Sequence, residues 1–143
     1  MYKKILVPLE NSKTDRAILG HIRAVARHDA SAIVLIHVAD GFVARNQERL
    51  NLADSEEIER DRSYLSTVER ELVAEGFPVT AVLAKGDPAD EILTAAEAHG
   101  CDLIAMSTHG HGYLKDFLFG SVASAVRHKT DIPVLLLRAH RGE

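Results

Sequence analysis

The segment between Ser107 and Ser121 contains the residue types of this chain that are best suited to bind an anion. Ser107, Gly110 and Gly120 are small enough for backbone N–H groups to approach a ligand closely, and Ser121 offers a hydroxyl at a predicted helix start. The N-terminus of a helix adds a dipole that favours negative charge. These features predict a phosphate site. The same glycines could instead serve only turns and a helix cap, and residue type alone leaves that alternative open.

Two histidines lie in the same segment, on either side of Gly110. His109 and His111 are potential metal ligands, but no cysteine, second histidine pair or carboxylate cluster lies near them in sequence. We therefore predict no metal site. The two histidines are either solvated or available to donate a hydrogen bond to a phosphate oxygen.

Apolar runs of strand length indicate which elements position this segment. Helix-length stretches separate five such runs, at residues 3–8, 32–38, 78–84, 102–107 and 133–137. Several are apolar at consecutive positions, such as Ile33 to Ile36, which is typical of strands covered on both faces in a parallel sheet. The sequence predicts a single three-layer α/β domain over residues 1–143, with a five-stranded parallel sheet and helices on both faces.

Capping residues set the limits of the predicted helices. The third helix has the clearest signals, because Asp87 is suited to the N-cap, Pro88 to the first helical position and Gly100 to the end. The other helices are predicted from Ser12 to His28, from Asp54 to the residue before Gly76, and from Gly120 to Lys129. Residues 40–53 are polar without clear periodicity, and no element is predicted for them.

Right-handed crossovers between the strands predict the order 3-2-1-4-5. The order reverses beside the first strand, and ligands of open parallel sheets bind outside the carboxyl ends of the strands at such a point. The loops after Pro8 and after Ser107 follow the two strands that meet there. The topology therefore predicts a ligand site where the residue types of the 107–121 segment also predict one.

The spacing of the segment resembles a known signature. Ser107-x-x-Gly110, followed after nine residues by Gly120-Ser121, is similar to the Gly-x-x-Gly, nine residues, Gly-Ser/Thr pattern of nucleotide-binding universal stress proteins. Similar segments recur in the family's order at residues 4–8 (KILVP), 35–38 (LIHV), 86–88 (GDP) and 102–106 (DLIAM). The chain departs from the family at Ser107, which stands for the first glycine, and at Leu9-Glu10, which stands for a common Asp or Thr-Asp.

The resemblance implies ATP or a related adenine nucleotide as a regulatory ligand, with Mg²⁺ as a possible companion. It implies contacts from glycines and serine to phosphate, and from Pro8 and Val38 to the base. The candidate nucleotide-binding residues are Pro8, Leu9, Glu10, Val38, Ser107, Gly110, Gly120, Ser121 and Val122. The Glu10 carboxylate could accept hydrogen bonds from an adenine amine or ribose hydroxyls, or cap the first helix. We predict no catalytic residues and at most slow ATP hydrolysis, because Asp116 and Glu10 are only loose candidates for activating water.

Composition and motif content argue against several other classes of protein. The formal net charge of -4 provides no excess of positive charge for nucleic acid or anionic lipid. Cys101 is the only cysteine, which excludes an intramolecular disulfide and favours a buried, inert thiol. A dinucleotide dehydrogenase requires a glycine-rich loop after the first strand, and this chain has no glycine there. A phosphoacceptor receiver domain needs an acidic pair there, whereas Glu10 stands alone.

Location and partners follow from the remaining apolar segments. No stretch approaches the ~18 apolar residues of a membrane helix, and the run after Met1 is too short for a signal peptide, so we expect a cytoplasmic protein. The fifth strand is apolar at a sheet edge, at Val134, Leu135, Leu136 and Leu137. The resemblance implies a homodimer through this strand. The alternative function is a dimeric stress-response interaction module that binds no nucleotide and whose glycines are purely structural.

Overall fold

The computed structural model describes residues 1–40, 47–109 and 116–139. Over these ranges the chain alternates strands and helices along its length. The strands are β1 (Lys4–Pro8), β2 (Ala32–Asp40), β3 (Val79–Gly86), β4 (Leu103–His109) and β5 (Val134–Ala139). The helices are α1 (Asp15–Asp29), α2 (Gln47–Ala74), α3 (Pro88–Ala98) and α4 (Asp116–Lys129).

The five strands form one parallel sheet in the order β3-β2-β1-β4-β5, which confirms the predicted fold and strand order. Successive residues of a strand point to opposite faces, so both faces need apolar cover. Ile5 and Val7 pack in the cluster that includes α1 and α2 residues, whereas Leu6 packs in the cluster that includes α3 and α4 residues. The consecutive apolar residues of β1 are thereby explained, because both of its faces are buried.

The pairing between β1 and β4 is shorter than the pairing between β1 and β2. Five consecutive residue pairs join β1 to β2, and the N–H of Leu9 continues this ladder to the carbonyl of Ile36 at 2.8 Å. The ladder between β1 and β4 joins Ile5 to Leu103 and Leu6 to Ile104, while β4 stays paired with β5 as far as His109. The carboxyl ends of β1 and β4 therefore separate, which creates the crevice expected where strand order reverses.

The third helix begins and ends as its capping residues predict. The Asp87 side chain accepts a hydrogen bond from the Asp90 N–H at 3.1 Å, and Pro88 occupies the first turn of α3. Gly100 follows the helix with a φ of +66°, a conformation that glycine adopts at little cost. These local signals correctly fix both ends of α3, because the partners that satisfy them lie within a few residues in sequence.

The starts of the other three helices differ from the predicted ones. α1 begins at Asp15 rather than Ser12, because the Asp15 side chain binds backbone N–H groups of the preceding loop and holds that loop out of the helix. α2 begins at Gln47, so part of the 40–53 segment is helical. α4 begins at Asp116 instead of Gly120, since an acidic residue suits a first turn and an interior glycine costs a helix only about 1 kcal/mol.

Candidate functional site

The loop after β1 lies at the carboxyl edge of the sheet, beside the crevice between β1 and β4. Pro8 is buried at the end of β1. Leu9 is only 3% exposed, and its side chain packs in the cluster that includes α1 and α2 residues. Asn11 has a φ of +63°, a left-handed conformation that asparagine tolerates better than most residues. This residue turns the chain back towards α1.

The buried carboxylate of Asp15 fixes the shape of this loop. It accepts hydrogen bonds from the backbone N–H groups of Glu10 at 2.9 Å, Asn11 at 2.8 Å and Ser12 at 3.3 Å. The Tyr64 hydroxyl of α2 donates a further one at 2.6 Å. Burial raises the pKa of Asp15, although all four hydrogen bonds oppose the rise, and burial together with the Asp15 charge raises the pKa of Tyr64. One side chain thus joins the loop, α1 and α2.

Glu10 holds its carboxylate on the α1 side of the loop. Its Oε2 accepts hydrogen bonds from the Thr14 hydroxyl at 2.8 Å and from the Ser12 hydroxyl at 3.2 Å. The Ser12 hydroxyl, predicted to cap α1, is instead part of this hydroxyl–carboxylate group, and Thr14 makes no side-chain capping bond. A carboxylate has about four acceptor positions and can therefore accept hydrogen bonds from several donors at once.

A second polar contact joins the loop to β2 and α2. The His37 Nδ1 lies 2.8 Å from the carbonyl oxygen of Leu9, and its Nε2 lies 3.1 Å from Asp61 Oδ2. Asn11 donates its side-chain N–H to the other Asp61 oxygen at 3.0 Å. The His37 and Asp61 side chains are only 12% and 10% exposed, so water screens the contact between them weakly.

Ser107 lies in the part of β4 that extends beyond its pairing with β1. Its side chain is fully buried, and its hydroxyl has no hydrogen-bond partner within the part of the chain that the structure describes. A buried hydroxyl without a partner costs free energy, and such a group calls for a ligand, a water molecule or a functional explanation. An oxygen-rich ligand in the crevice between β1 and β4 would supply the missing partner, so this residue fits a phosphate or ribose.

The other predicted site residues that the structure describes lie on one helix, α4, and near the end of one strand, β2. Val38, near the end of β2, and Val122 of α4 are partly buried against the cluster that includes α3 residues. Gly120 lies within α4 and Ser121 is exposed one residue later, past the first turn, whose N–H groups alone are free to bind an anion. The predicted helix start at Gly120 is therefore wrong, and Ser121 does not lie at the helix N-terminus, whereas its contact with a nucleotide stays a prediction. Gly110 lies outside the described residues.

The structure brings together residues that sequence reasoning treated separately or overlooked. Asp15 and His37 were not among the predicted site residues. Asp61 and Tyr64 lie on α2 and were not among them either. Their spacing of three residues places both on one helix face, and this was the only signal in the sequence. Among the described residues, no group of three histidine, cysteine or carboxylate side chains could hold a metal ion.

Comparisons with known proteins identify the same family over almost the whole chain. The model of the universal stress protein family matches residues 1–138. A universal stress protein of Methanocaldococcus jannaschii is 32% identical over 155 residues, covering 96% of this chain and 96% of that protein. A universal stress protein of Methanothermobacter thermautotrophicus is 31% identical over 143 residues, covering 96% of this chain and 97% of the relative.

Solved structures share the same fold. The M. jannaschii protein superimposes with a TM-score of 0.86 at 34% identity, covering 100% of this chain and 99% of its own. A universal stress protein from Archaeoglobus fulgidus in complex with dAMP gives a TM-score of 0.70 at 22% identity, with coverage of 94% and 97%. A universal stress protein in complex with cAMP gives 0.62 at 18% identity, with coverage of 96% and 97%. Within the described residues of the present chain, no helix is both long and apolar enough to cross a membrane.

Proposed function

Because this chain belongs to the universal stress protein family, we propose that it binds an adenine nucleotide, ATP with or without Mg²⁺, as a regulatory ligand. The proposed site is the crevice between the carboxyl ends of β1 and β4, and residues 1–143 are proposed to form this one nucleotide-binding domain. The observation that carries the proposal is the Ser107 hydroxyl, which is fully buried and has no partner among the described residues. A nucleotide oxygen in the crevice would satisfy it.

The proposed contacts divide between the base, the ribose and the phosphates. Pro8, at the end of β1, and Val38, near the end of β2, are the proposed apolar contacts to the base. The Glu10 carboxylate, which also binds the Ser12 and Thr14 hydroxyls, is the proposed acceptor for ribose hydroxyls or an adenine amine. Backbone N–H groups of the loop after β4 suit the phosphates, including that of Gly110. Since Ser121 lies past the first turn of α4, its proposed contribution is the side-chain hydroxyl.

Two remote relatives support an adenine base as the recognised group. The A. fulgidus protein is described in complex with dAMP, and another universal stress protein with cAMP. Both ligands contain adenine, a ribose or deoxyribose ring and a single phosphate. The acceptor capacity of Glu10 suits the amine of adenine, whereas guanine presents a carbonyl oxygen at the corresponding ring position. The proposal therefore expects discrimination between ATP and GTP.

We also propose that the protein is a homodimer through β5. This strand is at the edge of the sheet, and the Leu136 side chain is 41% exposed there. An apolar edge strand exposes unpaired backbone groups and apolar surface, and pairing with a second copy covers both. Sedimentation at micromolar concentration tests this, since Leu136→Glu should shift a dimer to monomers without unfolding them. A wild-type protein that sediments as a monomer would contradict the proposal.

Titration calorimetry with ATP, in the presence and absence of Mg²⁺, tests nucleotide binding directly. AMP and GTP serve as comparison ligands, and the protein must first be shown to be free of nucleotide. Gly120→Val should weaken ATP binding by at least about tenfold, because a branched side chain at the phosphate site obstructs the ligand. Gly20→Val is the matched control: Gly20 is also a helical glycine, a Cβ there would contact nothing within 4 Å, and it lies away from the crevice on α1.

The two functional classes give different results in this experiment. Saturable binding that prefers ATP and depends on Gly120 supports the regulatory nucleotide site. The absence of binding heat and of any thermal shift, in folded nucleotide-free protein, would instead favour an interaction module without a nucleotide. Equal weakening by Gly120→Val and Gly20→Val would show that helix disruption, and not loss of a contact, explains the effect.

A further inference from the structure

The environment of the His37 ring fixes how many protons the ring and its partner must share. Its Nδ1 lies 2.8 Å from the Leu9 carbonyl oxygen, which can only accept a hydrogen bond, so Nδ1 carries a proton. Its Nε2 lies 3.1 Å from Asp61 Oδ2, and the other Asp61 oxygen already accepts from Asn11. A hydrogen bond between Nε2 and Oδ2 therefore needs one further proton, on the ring or on the carboxyl group.

Loss of that proton would place two lone pairs against each other in a poorly hydrated contact. With Nε2 and Asp61 both deprotonated, the ring can keep its bond to Leu9 only by facing a carboxylate without a donor. Alternatively the ring can turn away and leave the Leu9 carbonyl and Asp61 Oδ2 without the ring as a donor, while Asp61 Oδ1 keeps its bond from Asn11. Either arrangement weakens the connection between the loop after β1 and α2. Protonated, the same residues form a charge-assisted bridge between them.

We propose that His37 and Asp61 form a proton-dependent positioning pair that orders the Leu9–Asn11 segment for nucleotide binding and couples its affinity to pH. The inference rests on the proposed function, since it concerns the same site. The pair contacts this segment twice, at the Leu9 carbonyl and at the Asn11 side chain. Both contacts flank Glu10, whose carboxylate is the proposed acceptor for the ribose or base.

Within the part of the chain that the structure describes, few other charged groups belong to the elements around the ring. From α2 the facing groups are Asp61 and, beyond it, Tyr64, while α1 provides Asp15, which is bonded to Tyr64 and to the loop. The loop itself contributes Glu10, which is bonded to Thr14 and Ser12. On β3 the register partner of His37 is Leu83, and the charged residue of that strand, Lys85, is exposed. Among the described residues, Asp61 is therefore the charged side chain in direct contact with the ring.

ATP affinity measured by calorimetry between about pH 5 and about pH 9 spans the titration range of histidine and tests the proposal. The phosphates of ATP titrate in the same range, so the informative quantity is the ratio of wild-type to Asp61→Asn affinity at each pH. In Asp61→Asn, the amide N–H₂ can donate to neutral Nε2 while its oxygen still accepts from Asn11. This variant should keep the loop in place at every pH, because the bridge no longer needs the extra proton.

We expect wild-type affinity to fall about tenfold relative to Asp61→Asn as the pH rises through the range, a coupling of ordinary size. His37→Ala should bind weakly at all pH values. His28→Gln is the matched control, because His28 also contacts an aspartate, Asp29 at 2.9 Å, but is exposed at the far end of α1. It should follow the wild-type pH profile.

Each outcome of this experiment bears on one of the two proposals. A constant ratio of wild-type to Asp61→Asn affinity would overturn the positioning pair and leave the nucleotide site standing. A ratio of wild-type to Asp61→Asn affinity that falls as the pH rises supports the pair, provided that His37→Ala binds weakly at every pH. If the wild-type protein binds no ATP at any pH, the proposed function fails, and the inference that depends on it fails as well. Thermal unfolding of each variant at each pH shows whether any change in affinity reflects unfolding.

Discussion

Replacing Asp15 by alanine should destabilise the fold through the loss of four hydrogen bonds at once. The carboxylate is 1% exposed and accepts from three consecutive loop N–H groups and from Tyr64. An unpaired buried donor costs about 1–3 kcal/mol. Asn11 and Ser12 are exposed, so water can reach part of the loop once the carboxylate is gone. We therefore count two donors in full, which predicts a loss of about 3 kcal/mol in the free energy of unfolding.

Urea unfolding of Asp15→Ala, Tyr64→Phe and the double variant measures this and separates the contributions. Tyr64→Phe removes one bond and leaves the three N–H groups paired, so it should cost about 1 kcal/mol. In the double variant the hydroxyl no longer needs a partner, and its cost should therefore be lower than the sum of the two by about 1 kcal/mol. The reasoning is refuted if Asp15→Ala lies within about 0.5 kcal/mol of wild type at an unchanged m-value, or if the two single costs are equal.

Three further predictions concern parts of the fold away from the crevice. Hydrogen bonds from His28 and from the Tyr2 N–H lower the pKa of Asp29 from 3.8 to about 2. The ionised Asp29 side chain therefore stabilises the fold above pH 3.8, and this stabilisation is lost as the pH falls towards 2. In an acid titration followed by circular dichroism, the stability of Asp29→Asn should change less than that of wild type between these two pH values. Burial raises the pKa of Cys101 to about 11, so a thiol reagent at neutral pH should label native protein far more slowly than urea-unfolded protein. Gly86→Ala should lower the midpoint of urea unfolding by an amount equivalent to about 1–2 kcal/mol, because φ is +136° and a Cβ would lie 3.3 Å from the Glu91 side chain.

The fold was predictable because its signals are local or periodic. Strand order followed from the handedness of the crossovers, and the consecutive apolar residues of β1 and β2 required cover on both faces. Asp87, Pro88 and Gly100 fixed the ends of α3, since each acts on backbone groups a few residues away. Information of this kind is present in any window of ten to twenty residues.

The polar contacts of the site were not predictable in the same way. Asp15 and Tyr64 are 49 residues apart in the sequence, and Asn11 and Asp61 are 50 residues apart. No local sequence pattern specifies contacts over such distances. The predicted start of α1 was wrong for a different reason, because several nearby groups compete for the same partners. Ser12 has the right side chain for a cap, but Glu10 offers it a charged acceptor, and Asp15 takes the loop N–H groups. Competition between possible partners is decided by the tertiary fold.

Most of the buried polar residues of the described chain lie at or near the carboxyl edge of the sheet. The buried polar residues in the described ranges are Thr14, Asp15, Ser31, Asp61 and Ser107. Ser31 bonds to the Tyr2 carbonyl near the amino edge of the sheet, whereas the other four lie at or near its carboxyl edge. Thr14, Asp15 and Asp61 are satisfied within the chain, and together they hold the loop after β1. Ser107, on the opposite side of the crevice, has no partner among the described residues. Contacts within the described residues satisfy the first three groups, whereas burying the Ser107 hydroxyl without such a contact costs free energy that alanine at this position would avoid. The proposed nucleotide, held between the ordered loop and Ser107, would account for both sides of the crevice.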